Sequence, residues 1–330
     1  MTAVPISILD LAMVGRTETV RDALDGCVTL ARKAEALGYE RIWYAEHHNM
    51  KTIASSATSV LIAHVAAHTE TIKLGSGGVM LPNHSPLTIA EQFGTLAELH
   101  PGRIELGLGR APGTDQQTFR ALRRDLNAAH AFPDDVIELQ GFLGDQSRVP
   151  GVTATPGAGT HVPLYILGSS HFGAQLAAAL GLPYAFASHF SPQALQSAVA
   201  IYREQFRPSA QLAEPFVIAG YNVIAADTVD EAEEQLQITR RSRVRLLFGR
   251  GGRTFTDEEA DLVIASPQGR AVEEMMTYTA AGTADHVVDQ VEAFAKHADA
   301  DEVMVAHQGP TLAHRLRSVE LLATAAFEKD

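Results

Sequence analysis

The stretch IKLGSGGVMLPNHSP, Ile72 to Pro86, decides how the rest of the chain is read. Ile72, Lys73 and Leu74 read as the end of a strand. The run Gly75-Ser76-Gly77-Gly78 that follows has almost no side-chain volume, so either something approaches the backbone there or the backbone itself is unusual. Val79, Met80 and Leu81 resume as an apolar wall until Pro82 and Pro86 stop it. A glycine bulge and a ligand platform fit these residues equally well, and the neighbouring strands separate the two. Upstream, Arg41 to Tyr44 reads as a strand that delivers Ala45-Glu46-His47-His48-Asn49. Downstream, Arg103 to Leu106 reads as a strand that delivers Gly107-Leu108-Gly109-Arg110-Ala111-Pro112-Gly113. Consecutive strands thus end in polar or glycine-rich residues on the same side, as a shared site requires.

The alternation continues along the chain. A first strand, Ile6 to Leu9, precedes a helix with Thr17 as candidate N-cap, running to Leu37 and stopped by Gly38. Helices are predicted over 57–68 and 87–99, with polar helical segments at 116–129 and 134–142 and a Gly/Pro-rich loop at 144–163. Further strands read at Leu164 to Leu167, Tyr184 to Ala187, Phe216 to Ala225 and Glu302 to Ala306. A helix opened by Asp227, Thr228 and Asp230 and a Gly/Arg-rich excursion from Phe248 to Thr256 lie before the last of these. Short, nearly continuous apolar strands alternating with helices predict an α/β fold, a (β/α)8 TIM barrel with insertions after strands 4 and 7, formed by residues 1–330 as one domain. A doubly wound open sheet is the runner-up; polar ends on strands two to six converge only on a closed ring.

Composition narrows the function. Hydrophobic residues make up 46% of the chain, enough for a large core, and 39 acidic against 26 basic residues leave a net charge of -13 that disfavours nucleic acid and anionic membranes. The single cysteine, Cys27, excludes an internal disulfide framework and suits a reducing compartment. With no basic leader followed by a long apolar segment, a cytoplasmic protein is expected.

The polar strand ends carry the chemistry. Adjacent His47 and His48 point to opposite sides of their strand, so at most one faces the barrel mouth. His64 and His68 share a helical face but lack the glutamate and third ligand of a metal site, and no metal is expected. Gly107-x-Gly109 leads into an Ala-Pro-Gly turn instead of a helix, which argues against a dinucleotide fingerprint; Arg110 is better read as a phosphate clamp. Gly168-Ser169-Ser170-His171-Phe172-Gly173 opens a helix, where backbone amides and the helix dipole favour an anion and a serine cap fits the same geometry.

The order EHH, GSGGVMLPNHSP, PGRIELGLGRAPG, LYILGSS and GLPYAFASHF resembles the bacterial luciferase-like flavin monooxygenases over most of the chain. The resemblance implies a site that takes reduced FMN and O2 to oxidise a small molecule, with a separate NAD(P)H flavin reductase as supplier and a homodimer built on the helices after strands two and three. It makes His47 the catalytic histidine, with Glu46 beside it. It assigns Gly75, Ser76, Gly77, Gly78, Arg110, Gly168, Ser169, Ser170 and Gly173 to the flavin, and places at Gly77-Gly78 the non-prolyl cis peptide that the family carries under the ring. Many relatives have a hydroxyl residue where Gly173 stands. His48, Met80 and Leu81 are expected around the substrate, which could be an apolar aldehyde, a thioether or a sulfonate. The deazaflavin F420, used for hydride transfer elsewhere in the superfamily, and a non-catalytic flavin-sequestering role are the alternatives.

Overall fold

A computed structural model describes residues 4–111, 116–124, 126–249 and 253–327. Eight parallel strands close a barrel in the order β1 (Ile6–Asp10), β2 (Arg41–Tyr44), β3 (Lys73–Met80), β4 (Ile104–Gly109), β5 (Leu164–Gly168), β6 (Tyr184–Phe186), β7 (Val217–Ala225) and β9 (Glu302–His307), which returns to β1. Helices wrap the outside: α1 (Val20–Leu37), α2 (Thr58–Ala66), α3 (Pro86–Leu99), α6 (His171–Leu180), α7 (Leu195–Gln205), α11 (Ala284–Ala298) and α12 (Leu312–Phe327). The first insertion, between β4 and β5, holds α4 (Gln116–Ala121) and α5 (Phe132–Leu143). The second, after β7, holds α8 (Val229–Phe248), α9 (Asp257–Ile264) and α10 (Arg270–Met275).

Several local expectations shift. The cap of α1 is Thr19, not Thr17, because Asp22 three residues into the helix completes a capping box with it. Strand β3 does not end at Leu74: the glycines keep pairing with β4, Gly75 opposite Glu105 and Ser76 opposite Leu106. A register shift at Gly77-Gly78 then lets Val79 meet Leu108. The Gly77-Gly78 peptide is cis. Strand β4 likewise runs on to Gly109. The helix expected over 116–129 divides into α4 and a separate 3-10 turn, Leu126–His130, with Arg123 in the left-handed region between them at φ 56°. The turn expected after Ala111 and the centre of the excursion at 250–252 lie outside the described residues.

An additional strand, β8 (Thr279–Gly282), lies where the sequence signals none, because Ala-Ala has no strand preference of its own. It forms because β6 covers only Val217 to Ala219 of β7, leaving the edge from Asn222 to Ala225 free to take β8 as partner. The last barrel strand is therefore the ninth in chain order.

Side chains alternate between two cores. Tyr44, Leu74, Val79, Leu81, Leu106 and Ile166 pack outward beneath the helices. Leu9, Trp43, Ala45, Tyr165, Ala185, Ile218, Met304 and Ala306 fill the interior. A charged layer closes the barrel's N-terminal end, where Arg41 pairs with Glu105 at 2.8 Å and Glu302 at 3.1 Å, Trp43 Nε1 donates to Glu105 at 2.9 Å, and Ser7 donates to Glu302. Burial pushes the Glu302 carboxyl up to about 7 against the pull of Arg41.

Candidate active site

The inward series on each strand, continued by steps of two, names the residues of the C-terminal mouth. On β2 it runs Arg41, Trp43, Ala45 and then His47; on β6, Ala185, Ala187 and then His189; on β9, Glu302, Met304, Ala306 and then Gln308. On β3 and β4 the corresponding positions are glycines. A Cβ on Gly75 would lie 2.7 Å from the Trp43 indole nitrogen, so the bare backbone there admits tryptophan. Gly77, beside Leu9 and Trp43, is only partly covered and faces the mouth. The interior side chains thus make an apolar floor, and the glycine strand a flat wall beside it.

His47 is the inward histidine of the pair. Its backbone amide donates to Ser55 at 3.0 Å, while its Nδ1 is shut from solvent with no protein partner. Burial lowers its pKa, with Glu46 opposing and His48 adding to the fall, so the ring is neutral at pH 7. His48 points away, and its Nε2 donates to Glu46 at 2.8 Å.

Glu46, also on the outward side, is buried at 1% exposure and accepts from His48, from His84 Nε2 at 2.9 Å, from Asn83 Nδ2 at 3.1 Å and from the Met80 amide at 2.9 Å. Burial alone would raise its pKa; the donors from His48, His84 and Met80 reverse that and hold it at about 2. Glu46 is thus a fixed anion that ties the end of β2 to the end of β3 and positions both histidines beside it. The Met80 thioether lies over Gly109, where a Cβ would meet its sulfur at 2.8 Å. Leu81, expected at the substrate, is 0% exposed and belongs to the outer core. The register shift at Gly77-Gly78 exchanges the two faces of β3, bringing Met80 toward the mouth and sending Val79 and Leu81 under the helices.

Across the ring, Ser170 stands at the start of α6 without a side-chain cap, so the first amides of the helix are left for another acceptor. The Arg110 guanidinium lies 4.1 Å from the centre of the Phe172 ring in that same first turn and remains solvent-exposed. Arg110, Ser169 and Ser170 are therefore together, with Gly168 3.7 Å from the Cα of Gly173 measured from an added Cβ. A Cβ on Gly173 would stand 3.3 Å from Tyr184, whose hydroxyl donates to the Ser170 carbonyl at 3.0 Å. The tyrosine ring thus takes much of the room that a hydroxyl residue would use.

Sequence reasoning did not single out His84, Asn83, His189, Gly220 or Gln308. His189 lies over Gly220, where a Cβ would come within 2.4 Å of its Nδ1, and its carbonyl accepts from Asn222 at 2.6 Å. Burial, with smaller contributions from Arg243 and His47, pushes His189 down to about 3, so it too is neutral. Continuing the strand period beyond β6 and β9 was the available signal for His189 and Gln308. His64 on α2 and His68 just past its end meet edge to face with ring centres 4.8 Å apart, on the outer layer of helices. Among the described residues no group of three metal-ligating side chains occurs, and no helix is long and apolar enough to cross a membrane.

A parallel barrel whose C-terminal mouth brings an uncapped helix start, an exposed arginine, a glycine wall and a neutral buried histidine together belongs with the barrel oxidoreductases. More narrowly, the chain belongs to the luciferase-like monooxygenase family, whose model matches residues 5–301. The luciferase-like monooxygenase of Escherichia coli (strain K12) is 46% identical over 320 residues, covering 96% of each chain. The N-acetyl-S-alkylcysteine monooxygenase of Bacillus subtilis (strain 168) is 34% identical over 296 residues, 87% of each. The crystal structure of apo-MsnO8 superposes with a TM-score of 0.88 at 35% identity over 98% of this chain and 97% of its own. Two further structures share the fold alone. The oxygenating constituent of 3,6-diketocamphane monooxygenase from Pseudomonas putida, in complex with FMN, matches at TM-score 0.73 and 16% identity over 100% of this chain and 99% of its own. An F420-dependent secondary alcohol dehydrogenase matches at 0.70 and 17% over 100% of both.

Proposed function

We propose that this chain is the oxygenase of a two-component system: it binds reduced FMN, uses O2 to add one oxygen atom to a small organic molecule, and receives its flavin from a separate NAD(P)H flavin reductase. The observation that carries this reading is the pairing, across one mouth, of an uncapped helix start flanked by Arg110 with the inward, neutral His47. The residues present fit the cofactor. Arg110, Ser169, Ser170 and the first amides of α6 suit its phosphate, and the bare wall at Gly77-Gly78 suits a flat ring.

When bound, the reduced flavin supplies the electrons that activate dioxygen. The protein does the rest. Leu9, Trp43 and Met304 keep water from below, His47 exchanges a proton with the reacting atoms at a ring nitrogen, and Glu46 holds the ends of β2 and β3 in register. The relatives of 34 to 46% identity whose names state an activity are monooxygenases, whereas the F420-dependent structure shares the fold only, which favours FMN over F420. The activity of the Bacillus subtilis relative favours a thioether among the candidate substrates. A homodimer through α2 and α3, where Val60 and Leu99 stand exposed, completes the proposal.

The test mixes purified protein, FMN and NADH and follows the nicotinamide absorbance. Consumption should begin only when a reductase is added, and labelled dioxygen should then leave one labelled atom in the oxygenated product formed from an S-alkyl thioether. Rapid NADH loss without reductase refutes the two-component reading, and unlabelled product refutes oxygen transfer.

A further inference from the structure

Helix α8 crosses from the second insertion toward the mouth and carries arginines at positions 240, 241, 243 and 245. Three of them are spoken for: Arg240 pairs with Glu233 at 3.0 Å and Glu273 at 3.2 Å, Arg241 with Asp261 at 2.7 Å, and Arg245 with Asp257. Arg243 differs. Among the described residues it has no carboxylate partner; its one hydrogen bond goes from a terminal nitrogen to Gln308 Oε1 at 3.1 Å, and its Nε is shut from solvent with nothing to receive it. Burial lowers its pKa, and no acidic group offsets that.

Gln308 is the inward residue that follows β9, and Arg243 is close enough to His189 to act on its titration, as is His47. Arg243, Gln308, His189 and His47 therefore stand round one side of the mouth, where the two histidines contribute no charge. In a chain of net charge -13, a guanidinium kept half-buried beside a neutral amide is an unbalanced cation, and an anion is what balances it. The flavin phosphate is not that anion in the present reading, because its cradle is on β4 and β5 while Arg243 borders β9 and β7, across the ring.

We propose that Arg243, held by Gln308, is the anchor for a carboxylate on the substrate, so that the enzyme takes small carboxylate-bearing molecules and turns their oxidisable end toward His47. A carboxylate matches the outer edge of the guanidinium: Gln308 keeps Nη2 in place, and Nη1, unlike the closed-off Nε, is neither bonded nor shut from solvent among the described residues. This rests on the monooxygenase reading above but concerns binding, which is measured without turnover.

The experiment titrates the FMN-loaded protein with N-acetyl-S-benzylcysteine and, separately, with its carboxamide, by calorimetry, and measures FMN affinity in the same preparations. The acid should bind the wild type at least about tenfold more tightly than the carboxamide, the scale of one charged hydrogen bond. Arg243→Gln should bring the two to equal affinity with FMN affinity unchanged, and Arg243→Lys should restore part of the preference. Equal binding of acid and carboxamide by the wild type, or binding of neither, overturns the proposal whether or not the variants fold. So does a fall in FMN affinity in Arg243→Gln matching the fall for the acid, which would return this arginine to the flavin. Failure of oxygen transfer with the acid preference intact would strike the monooxygenase reading and leave the anchor standing.

Discussion

Glu46→Gln isolates the joint between β2 and β3. The carboxylate holds a pKa of about 2 against an ordinary 4.5, because His48, His84 and the Met80 amide donate to it in a buried setting. The folded-state value is depressed, so the stabilisation is complete above the unfolded value and drains away as pH falls toward 2. At about 1.4 kcal/mol per tenfold change in proton affinity, the full contribution is about 3 kcal/mol at pH 7, of which roughly 0.8 is lost by pH 4 and roughly 2 by pH 3. Glutamine keeps the shape, loses the charge and has nothing to titrate. The variant should therefore be about 3 kcal/mol less stable at pH 7, and the gap from wild type should close to about 1 kcal/mol at pH 3. Urea unfolding read by the fluorescence of Trp43, the one tryptophan and fully buried, measures both. Groups elsewhere titrate alike in the two proteins and cancel in the difference. A gap that stays constant between pH 7 and pH 3 would refute the account of Glu46 as a buried anion held by its donors.

Three further outcomes are expected. Arg110→Ala should raise the dissociation constant for FMN about tenfold, the low end of the roughly 1.5 to 3 kcal/mol of a charged hydrogen bond because the guanidinium is exposed; fluorescence titration of the flavin checks it. His47→Ala should leave FMN affinity within about twofold and abolish product, whereas His48→Ala should lower the urea midpoint and spare more of the product, since its ring serves Glu46 and not the mouth; the reverse order in a product assay refutes the assignment. Gly220→Ala should cost about 1 to 3 kcal/mol in a thermal melt and impair product formation, because its methyl would stand 2.4 Å from the His189 ring.

The local signals in the chain determined much of this protein. Short apolar strands, each followed by a helix, specify a closed parallel barrel, and the insertions after the fourth and seventh strands are visible as breaks in that alternation. The period of two along a strand was enough to say that only one of His47 and His48 faces inward. Side-chain volume was enough to mark Gly75 to Gly78 as a place of close approach, although for Gly75 the approaching group is Trp43. What the sequence could not state is which distant groups meet. Glu46 is held as a fixed anion by one donor close by in the chain, His48, and by others that no local reading could supply, His84 and the Met80 amide, which arrive from another strand end. Strand β8 exists because β6 is too short to cover β7, an edge that only the closed ring creates. Arg243 sits among three arginines of the same helix, alike in sequence; it differs from them only in packing against Gln308 and not against an acid, a distinction made entirely by tertiary contact.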